Sequence, residues 1–199
     1  MVDILNTLSK IQLIDLLQAG LVGVIPTDTV YGVVCLASNK NTVARLYKLK
    51  SRDQKPGTVI AASVDQLIEL GLKARYIKAV QQFWPNSISI IIPTGTELEY
   101  LHQSKNSLAC RVVKGPKELL NVLSITGPLL TTSANPPGKS PAGSLQEAQN
   151  YFGDSVDFYV DGGDLSSQKP STLIRIIDDA VEVLRDGAVK VTETGEVTQ

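Results

Sequence analysis

The segment LVGVIPTDTVYG (Leu21–Gly32) decides how the chain folds, because a short apolar run stops there at a cluster of hydroxyls and one carboxylate. The apolar part, Leu21–Ile25, has the length and composition of a buried strand. Pro26–Gly32 follows it as a turn-rich loop. Ligands of open α/β sheets bind just outside strand ends, so this pattern predicts a binding site as well as a fold.

Outward from this segment, helix-like and strand-like stretches alternate in the first half of the chain, and strands cluster in the second half. The predicted helices are Ile4–Leu17, Thr42–Lys50 with Asn41 as its cap, Val64–Leu70, Ala74–Trp84, Pro116–Ser124 and Leu145–Phe152. The further predicted strands are Thr58–Ala62, Ser87–Ile92, Leu108–Val113, Pro128–Thr132, Asp157–Val160 and the hairpin Thr172–Ile177 and Val181–Leu184. This order predicts an α/β fold with a mixed parallel and antiparallel sheet flanked by helices.

The length of 199 residues suits one domain, which we place at residues 1–191, with a polar tail at 192–199 that frays. The net charge is −1, so any anion site must come from local clustering of basic residues. Met1–Lys10 lacks the pattern of a signal peptide and no apolar stretch is long enough to cross a bilayer, so we expect a cytoplasmic protein.

Residues suited to metal binding or nucleophilic catalysis are scarce. Cys35 and Cys110 lie in apolar runs and are interpreted as buried, reduced thiols. His102, the single histidine, lies in a polar stretch and is interpreted as a surface residue. These residues supply neither a zinc site nor a histidine-dependent triad, so the chemistry must rest on other groups.

Four polar clusters at strand ends are the candidate site, and each has a structural alternative. Asp28 and Thr29 could bind a small zwitterion, or they could satisfy backbone groups of a turn. Arg111, within an apolar strand, needs an anionic partner, either a structural carboxylate or a substrate. The loop after Thr131 suits neutral hydrogen bonding to a nucleotide or amino acid, or is an ordinary turn.

A concentration of basic residues, Lys48, Lys50, Arg52 and Lys55, precedes the predicted strand at Thr58. It is either a solvated charge run or a phosphate site held over a strand end. The chain contains neither a P-loop motif nor a glycine-rich dinucleotide fingerprint.

Six motifs, in this order, resemble those of the YrdC/TsaC family of threonylcarbamoyl-AMP synthases, in its short, single-domain form. They are PTDTVYG (Pro26–Gly32), KSR (Lys50–Arg52), SLACR (Ser107–Arg111), TSAN (Thr132–Asn135), PST (Pro170–Thr172) and RDG (Arg185–Gly187). The chain departs from the family pattern in the spacing of Lys55 and in Pro137 and Pro141.

The resemblance implies a twisted mixed sheet around a basic cleft, and it implies residue roles. It implies that Lys50 and Arg52 are the catalytic cations, and that ATP is bound by Lys50, Arg52, Lys55, Ser107, Ser133, Asn135 and Arg185. It implies that L-threonine is bound by Thr29, Arg111, Thr131 and Ser171. No protein-held metal is implied, and Mg²⁺ is expected through the ATP phosphates.

The implied reaction joins L-threonine, bicarbonate and ATP into threonylcarbamoyl-AMP and pyrophosphate, and the product passes to proteins that modify tRNA. The alternative from a different class is a non-catalytic RNA-binding module that uses the same basic cleft, with affinity that falls steeply with salt. A relative that acts on another carbamoyl compound is a third possibility.

Overall fold

A ten-stranded mixed sheet forms the centre of the computed structural model, which describes residues 3–5, 11–51, 55–178 and 180–198. The strands are β1 (Asp3–Leu5), β2 (Gly23–Pro26), β3 (Tyr31–Leu36), β4 (Thr58–Ala61), β5 (Ile88–Pro93), β6 (Ser107–Val112), β7 (Leu129–Ser133), β8 (Phe158–Val160), β9 (Thr172–Ile177), β10 (Ala180–Arg185), β11 (Lys190–Val191) and β12 (Val197–Thr198). The helices are α1 (Ile11–Gln18), α2 (Lys40–Leu49), α3 (Val64–Glu69), α4 (Ala74–Val80), α5 (Glu99–His102), α6 (Lys117–Thr126) and α7 (Leu145–Phe152).

The sheet order is β1-β8-β2-β3-β7-β4-β6-β5-β9-β10. Four pairs are parallel, namely β1 with β8, β2 with β8, β4 with β6 and β5 with β9. The other neighbours are antiparallel, including the predicted hairpin of β9 and β10. The predicted α/β fold with a mixed sheet is confirmed, and the basic character of the cleft stays a prediction.

Both faces of the sheet are covered, because successive residues of its central strands belong to different hydrophobic clusters. Val24 packs into one cluster and Ile25 into the other, and Val33 and Val34 divide in the same way. Side chains alternate across a strand, so this division requires helices on both faces. Helices α2, α4 and α7 contribute to the first cluster, and α1 and α6 contribute to the second.

The first predicted helix, Ile4–Leu17, was wrong in its N-terminal part. Asp3–Leu5 is a strand that pairs in parallel with β8, 155 positions later along the chain at Phe158 (158 − 3), and the helix begins at Ile11. Local apolar spacing cannot reveal such a distant pairing. Residues 6–10, which the prediction also included, lie outside the described residues.

The beginning of α2 also differs from the prediction. Asn39, in an extended conformation, caps this helix by accepting hydrogen bonds from the backbone N–H groups of Asn41 (3.1 Å) and Thr42 (3.3 Å). Asn41 was predicted to be the cap, but it lies inside the first turn. The predicted helix Ala74–Trp84 is shorter as well, since a 3₁₀ turn follows Val80.

The C-terminal residues are paired, contrary to the expectation of a fraying tail. Strands β11 and β12 form a small antiparallel sheet, in which Val191 lies opposite Val197. The Val181 N–H also donates to the carbonyl of Glu193 (3.2 Å), which attaches this hairpin to the strand at the edge of the main sheet. The division into one domain and a tail stays a prediction.

His102 is buried, with 1% of its surface exposed, so its interpretation as a surface residue was wrong. Its Nδ1 accepts from the N–H of Asn106 (3.2 Å), and its Nε2 lies 3.1 Å from the carbonyl oxygen of Gly95. An amide N–H only donates and a carbonyl only accepts, so the ring carries its proton on Nε2. The imidazole therefore joins two loop segments.

Cys35 and Cys110 are free and buried, as predicted. Burial raises the pKa of the Cys35 thiol to about 12 and also raises the pKa of the Cys110 thiol. Both therefore stay protonated and act as small apolar side chains. None of the helices in the described parts of the chain is both long and apolar enough to cross a lipid bilayer.

Candidate active site

A cavity of about 270 Å³ lies where several strands end, and residues far apart in sequence form its wall. The lining comes from the loop after β2, the first residues of β3, and residues of β6 and β7. The segment before β9 and the last residue of β10 also contribute to it. Six predicted site residues meet on this wall: Thr29, Arg111, Thr131, Ser133, Ser171 and Arg185.

Arg111 lies on β6 and is paired with a carboxylate. Its Nη2 is 2.7 Å from Oδ1 of Asp28, and each side chain is 4% exposed. Its Nη1 donates to the hydroxyl of Ser89 (2.9 Å). Within the described structure its Nε is buried without a hydrogen-bond partner. A structural partner for Arg111 is thus present, and Nη1 and Nη2 each retain a second N–H.

Two serine hydroxyls connect Arg111 to a second cation. The Oγ atoms of Ser89 and Ser171 are 2.9 Å apart. Arg185 donates from Nε and Nη2 to the carbonyl of Ser171 (3.1 and 2.8 Å) and from Nη2 to its hydroxyl (3.1 Å). This hydrogen-bonded chain runs from β6 through β5 and the residue before β9 to the end of β10, so the two guanidinium groups hold fixed positions on one wall.

The loop after β2 is a turn stabilised by its own side chains. The hydroxyl of Thr27 donates to the carbonyl of Val30 (2.7 Å) and accepts from the N–H of Thr29 (3.2 Å). The structural interpretation of this loop is therefore correct for Thr27. Asp28 faces Arg111, which makes it part of the cavity's charge arrangement.

Tyr31 holds the segment that leads to Ser171. Its hydroxyl donates to the carbonyl of Gly163 (2.9 Å) and accepts from the N–H of Gly162 (2.8 Å). Burial is the main cause that raises the pKa of Tyr31, so the phenol stays neutral and keeps both bonds. The segment 161–171 is thereby fixed against the first residue of β3.

Two glycines permit close backbone contacts beside the cavity. A Cβ on Gly32 would lie 2.4 Å from Oγ1 of Thr131. A Cβ on Gly187 would lie 2.4 Å from the carbonyl oxygen of Pro170 and from the backbone of Ser171. Glycine is required at both positions for Thr131 and Ser171 to keep their places.

Lys50, at the C-terminal end of α2, is 4% exposed and binds the loop after β7. Its Nζ donates to the carbonyl of Ser133 (2.7 Å), to the carbonyl of Asn135 and to Oδ1 of Asn135 (3.3 Å). The Ser133 hydroxyl donates to the same Oδ1 (2.6 Å), and Nδ2 of Asn135 donates to the carbonyl of Lys139 (2.6 Å). Lys50 is therefore not part of a solvated charge run.

The other predicted nucleotide residues that the structure describes are not on the cavity wall. Of those the structure describes, Lys55 is exposed, and Asn135 and Ser107 lie outside the lining. The Ser107 hydroxyl is 3.4 Å from the carbonyl oxygen of Lys105. Arg52 lies outside the described residues.

Ser89 was not among the predicted site residues, although its strand was predicted. A signal was present, because Ser87 and Ser89 alternate with Ile88 and Ile90 and so mark a polar face on a buried strand. Across residues 3–5, 11–51, 55–178 and 180–198, no group of three or more His, Cys, Asp or Glu side chains is placed to hold a metal ion.

Among proteins of known sequence, the chain is similar to two bacterial threonylcarbamoyl-AMP synthases. It is 34% identical over 152 residues to that of Halorhodospira halophila, covering 74% of this chain and 79% of that protein. It is 32% identical over 165 residues to that of Marinobacter nauticus, covering 80% of this chain and 86% of that protein.

Solved structures show the same fold. P. abyssi Sua5, complexed with L-threonine, superposes with a TM-score of 0.81 at 22% identity, over 95% of this chain and 58% of that one. The chain thus spans less than three fifths of that protein's length. E. coli YciO superposes with a TM-score of 0.77 at 22% identity, over 94% of this chain and 96% of that one.

The protein-family model Sua5/YciO/YrdC, described as "Telomere recombination", matches residues 15–187. This range contains every residue of the cavity wall. The resemblance seen in the sequence motifs, the relatives and the fold all agree with this match. The chain therefore belongs to the Sua5/YciO/YrdC family.

Proposed function

We propose that the chain is a threonylcarbamoyl-AMP synthase, which makes threonylcarbamoyl-AMP and pyrophosphate from L-threonine, bicarbonate and ATP. One observation carries the proposal: Thr29, Arg111, Thr131 and Ser171 lie on the wall of one cavity together with Arg185. Two relatives over 30% identical bear this enzyme's name, and a structural neighbour is complexed with L-threonine.

The proposed threonine site uses Arg111 for the carboxylate. Arg111 lines the cavity, and a substrate carboxylate there would gain a charge-assisted hydrogen bond from its guanidinium group. The hydroxyls of Thr29 and Thr131 would bind the polar groups of the amino acid, and Ser171 would complete the site. Asp28 neutralises Arg111 when no substrate is bound.

The proposed nucleotide site adjoins it. Arg185 and Ser133 lie on the same wall, and Asn135 is held close by Lys50. We propose that Lys50 and Arg52 are the catalytic cations, with Lys55 and Ser107 as further ATP contacts. An ammonium has three donors, so Lys50 must exchange a loop carbonyl for a phosphate oxygen when ATP binds.

In the proposed reaction, the threonine amine and bicarbonate form a carbamate and water. A carbamate oxygen then attacks the α-phosphorus of ATP, and pyrophosphate leaves with the electron pair of the broken P–O bond. This reaction requires alignment and neutralisation of charge rather than a covalent nucleophile. Mg²⁺ is proposed to enter with ATP, bound by phosphate oxygens and water.

Pyrophosphate release tests the proposal. We expect release only when L-threonine, bicarbonate and ATP are all present, and lower turnover with serine. Loss of one methyl contact in a fitted pocket costs about 1–3 kcal/mol. Equal turnover with serine, or turnover without bicarbonate, would exclude the assignment.

The proposed function also includes the fate of threonylcarbamoyl-AMP. We propose that it passes to proteins that modify tRNA, in the cytoplasm, and that RNA contact, if the basic residues supply it, is secondary to catalysis. If the chain were only an RNA-binding module, it would bind RNA with a steep dependence on salt and would never consume ATP. Measuring both properties on one preparation separates these functions.

A further inference from the structure

Ser89 lies at the centre of the hydrogen-bonded chain between the two guanidinium groups. It is on β5, which lies between β6 and β9 in the sheet, and it is fully buried. Its neighbours Ile88 and Ile90 pack into the hydrophobic core. Ser89 lies opposite Leu173, which lines the cavity. A buried hydroxyl on this face of an otherwise apolar strand requires polar partners.

Both partners of Ser89 belong to the proposed threonine site. Its Oγ accepts from Nη1 of Arg111 (2.9 Å) and shares a hydrogen bond with the hydroxyl of Ser171 (2.9 Å). A serine hydroxyl has one donor and two acceptor positions, so it can satisfy both partners at once. The Ser171 hydroxyl in turn accepts a hydrogen bond from Arg185, so the chain of hydrogen bonds through Ser89 reaches the second guanidinium group.

We propose that Ser89 is a positioning residue, whose hydroxyl fixes Arg111 and Ser171 in the orientation that receives the threonine carboxylate. This inference rests on the proposed function of the cavity. Arg111 has an Nε without a partner, so its orientation depends on Asp28 at Nη2 and Ser89 at Nη1. Without the Ser89 hydroxyl, the guanidinium is held from one side only and can rotate about its bond to Asp28.

Three substitutions of Ser89 separate this role from simple packing. Ser89→Ala removes the hydroxyl, Ser89→Cys nearly keeps the volume but bonds weakly, and Ser89→Thr keeps the hydroxyl. The control is Ser63→Ala, at a serine that caps α3 away from the cavity by accepting from the N–H of Gln66 (3.3 Å). It lowers stability without changing the site.

Calorimetry on the full chain would measure the Kd for L-threonine and for a non-hydrolysable ATP analogue, and melting would measure Tm. We expect Ser89→Ala and Ser89→Cys to weaken threonine binding by about tenfold or more, and the analogue's binding far less. Ser89→Thr keeps the hydroxyl and should therefore bind threonine more tightly than Ser89→Ala. Ser63→Ala should lower Tm and leave both Kd values unchanged.

Wild-type affinity for threonine in both Ser89→Ala and Ser89→Cys would overturn the inference, as would a Ser89→Thr variant as weak as Ser89→Ala. If Ser89→Ala does not fold, the Cys and Thr variants decide the question between them. A wild-type protein that binds no threonine would instead refute the proposed function, so the two failures are distinguishable.

Discussion

The buried ion pair between Asp28 and Arg111 yields a sharp prediction about stability. Asp28→Asn keeps the shape of the side chain and removes its charge, and Arg111→Met keeps the length and removes the cation. Each single change leaves the other charge buried, with 4% of its side chain exposed. An unpaired buried charge is strongly destabilising, whereas loss of both charges is far better tolerated.

The size of the effect follows from this burial. Removal of one partner from a buried pair costs about 3–5 kcal/mol, against a typical unfolding free energy of about 5–15 kcal/mol. For a chain of this length, each kcal/mol lowers Tm by roughly 2–4 °C, so each single variant should melt about 6–20 °C lower. The double variant should lose less unfolding free energy than the two single variants lose in total, and the difference should be about 2–3 kcal/mol.

Urea unfolding of the wild type, both single variants and the double variant measures this coupling energy. If the two losses simply add, within about 0.5 kcal/mol, the pair does not contribute as the structure indicates. Asp28 would then be available to the substrate's ammonium group, and Arg111 would need another anion.

Three other changes test separate features. Gly187→Ala should weaken threonine binding by about tenfold or more in calorimetry, because its Cβ would lie 2.4 Å from the backbone at Ser171; unchanged binding would show that this contact is not needed. His102→Leu should lower the free energy of unfolding by on the order of 1–3 kcal/mol in urea, since two loop hydrogen bonds are lost; a neutral effect would contradict its structural role. Burial raises the pKa of Asp157, but the hydrogen bonds from Arg45 and the Val22 N–H, together with the positive charge of Arg45, outweigh it, so the pKa is lowered. Its charge therefore contributes stability that is fully present above the unfolded pKa of about 4 and is lost as the pH falls through the lowered folded pKa, so the gap in urea midpoint between wild type and Asp157→Asn should be constant near neutral pH and narrow as the pH falls below about 4; a gap that does not narrow would refute this.

The fold was predictable where local pattern and tertiary pairing agree. Leu145–Phe152 and Thr172–Ile177 were predicted with their observed limits, because the first has apolar residues at helical spacing and the second is a short run rich in β-branched and apolar residues. Asp3–Leu5 was not predicted as a strand, since its pairing with β8 is set by residues far along the chain. The C-terminal hairpin at Val197 was missed because a two-residue polar strand carries no periodic signal.

The loops that contribute residues to the candidate site were predictable from the sequence. The hydrogen bonds and ion pairs between those residues were not. The sequence placed Arg111 in an apolar strand and required a partner for it, but several acids were available and only the fold brings Asp28 to it. Lys50 was expected to face a ligand, and in the structure it binds carbonyl groups of the next loop. The burial of His102 was also not predicted, because a residue in a polar stretch of sequence can still have its side chain in the core.

We propose that a single cavity joins carbon from bicarbonate to L-threonine and then to AMP. The most direct measurement is mass spectrometry of the products formed from ¹³C-bicarbonate, L-threonine and ATP. We predict a labelled adduct containing both threonine and AMP, formed together with pyrophosphate and absent when any one substrate is omitted. ATP consumption without such an adduct, or an adduct of threonine and AMP that carries no label, would contradict the account.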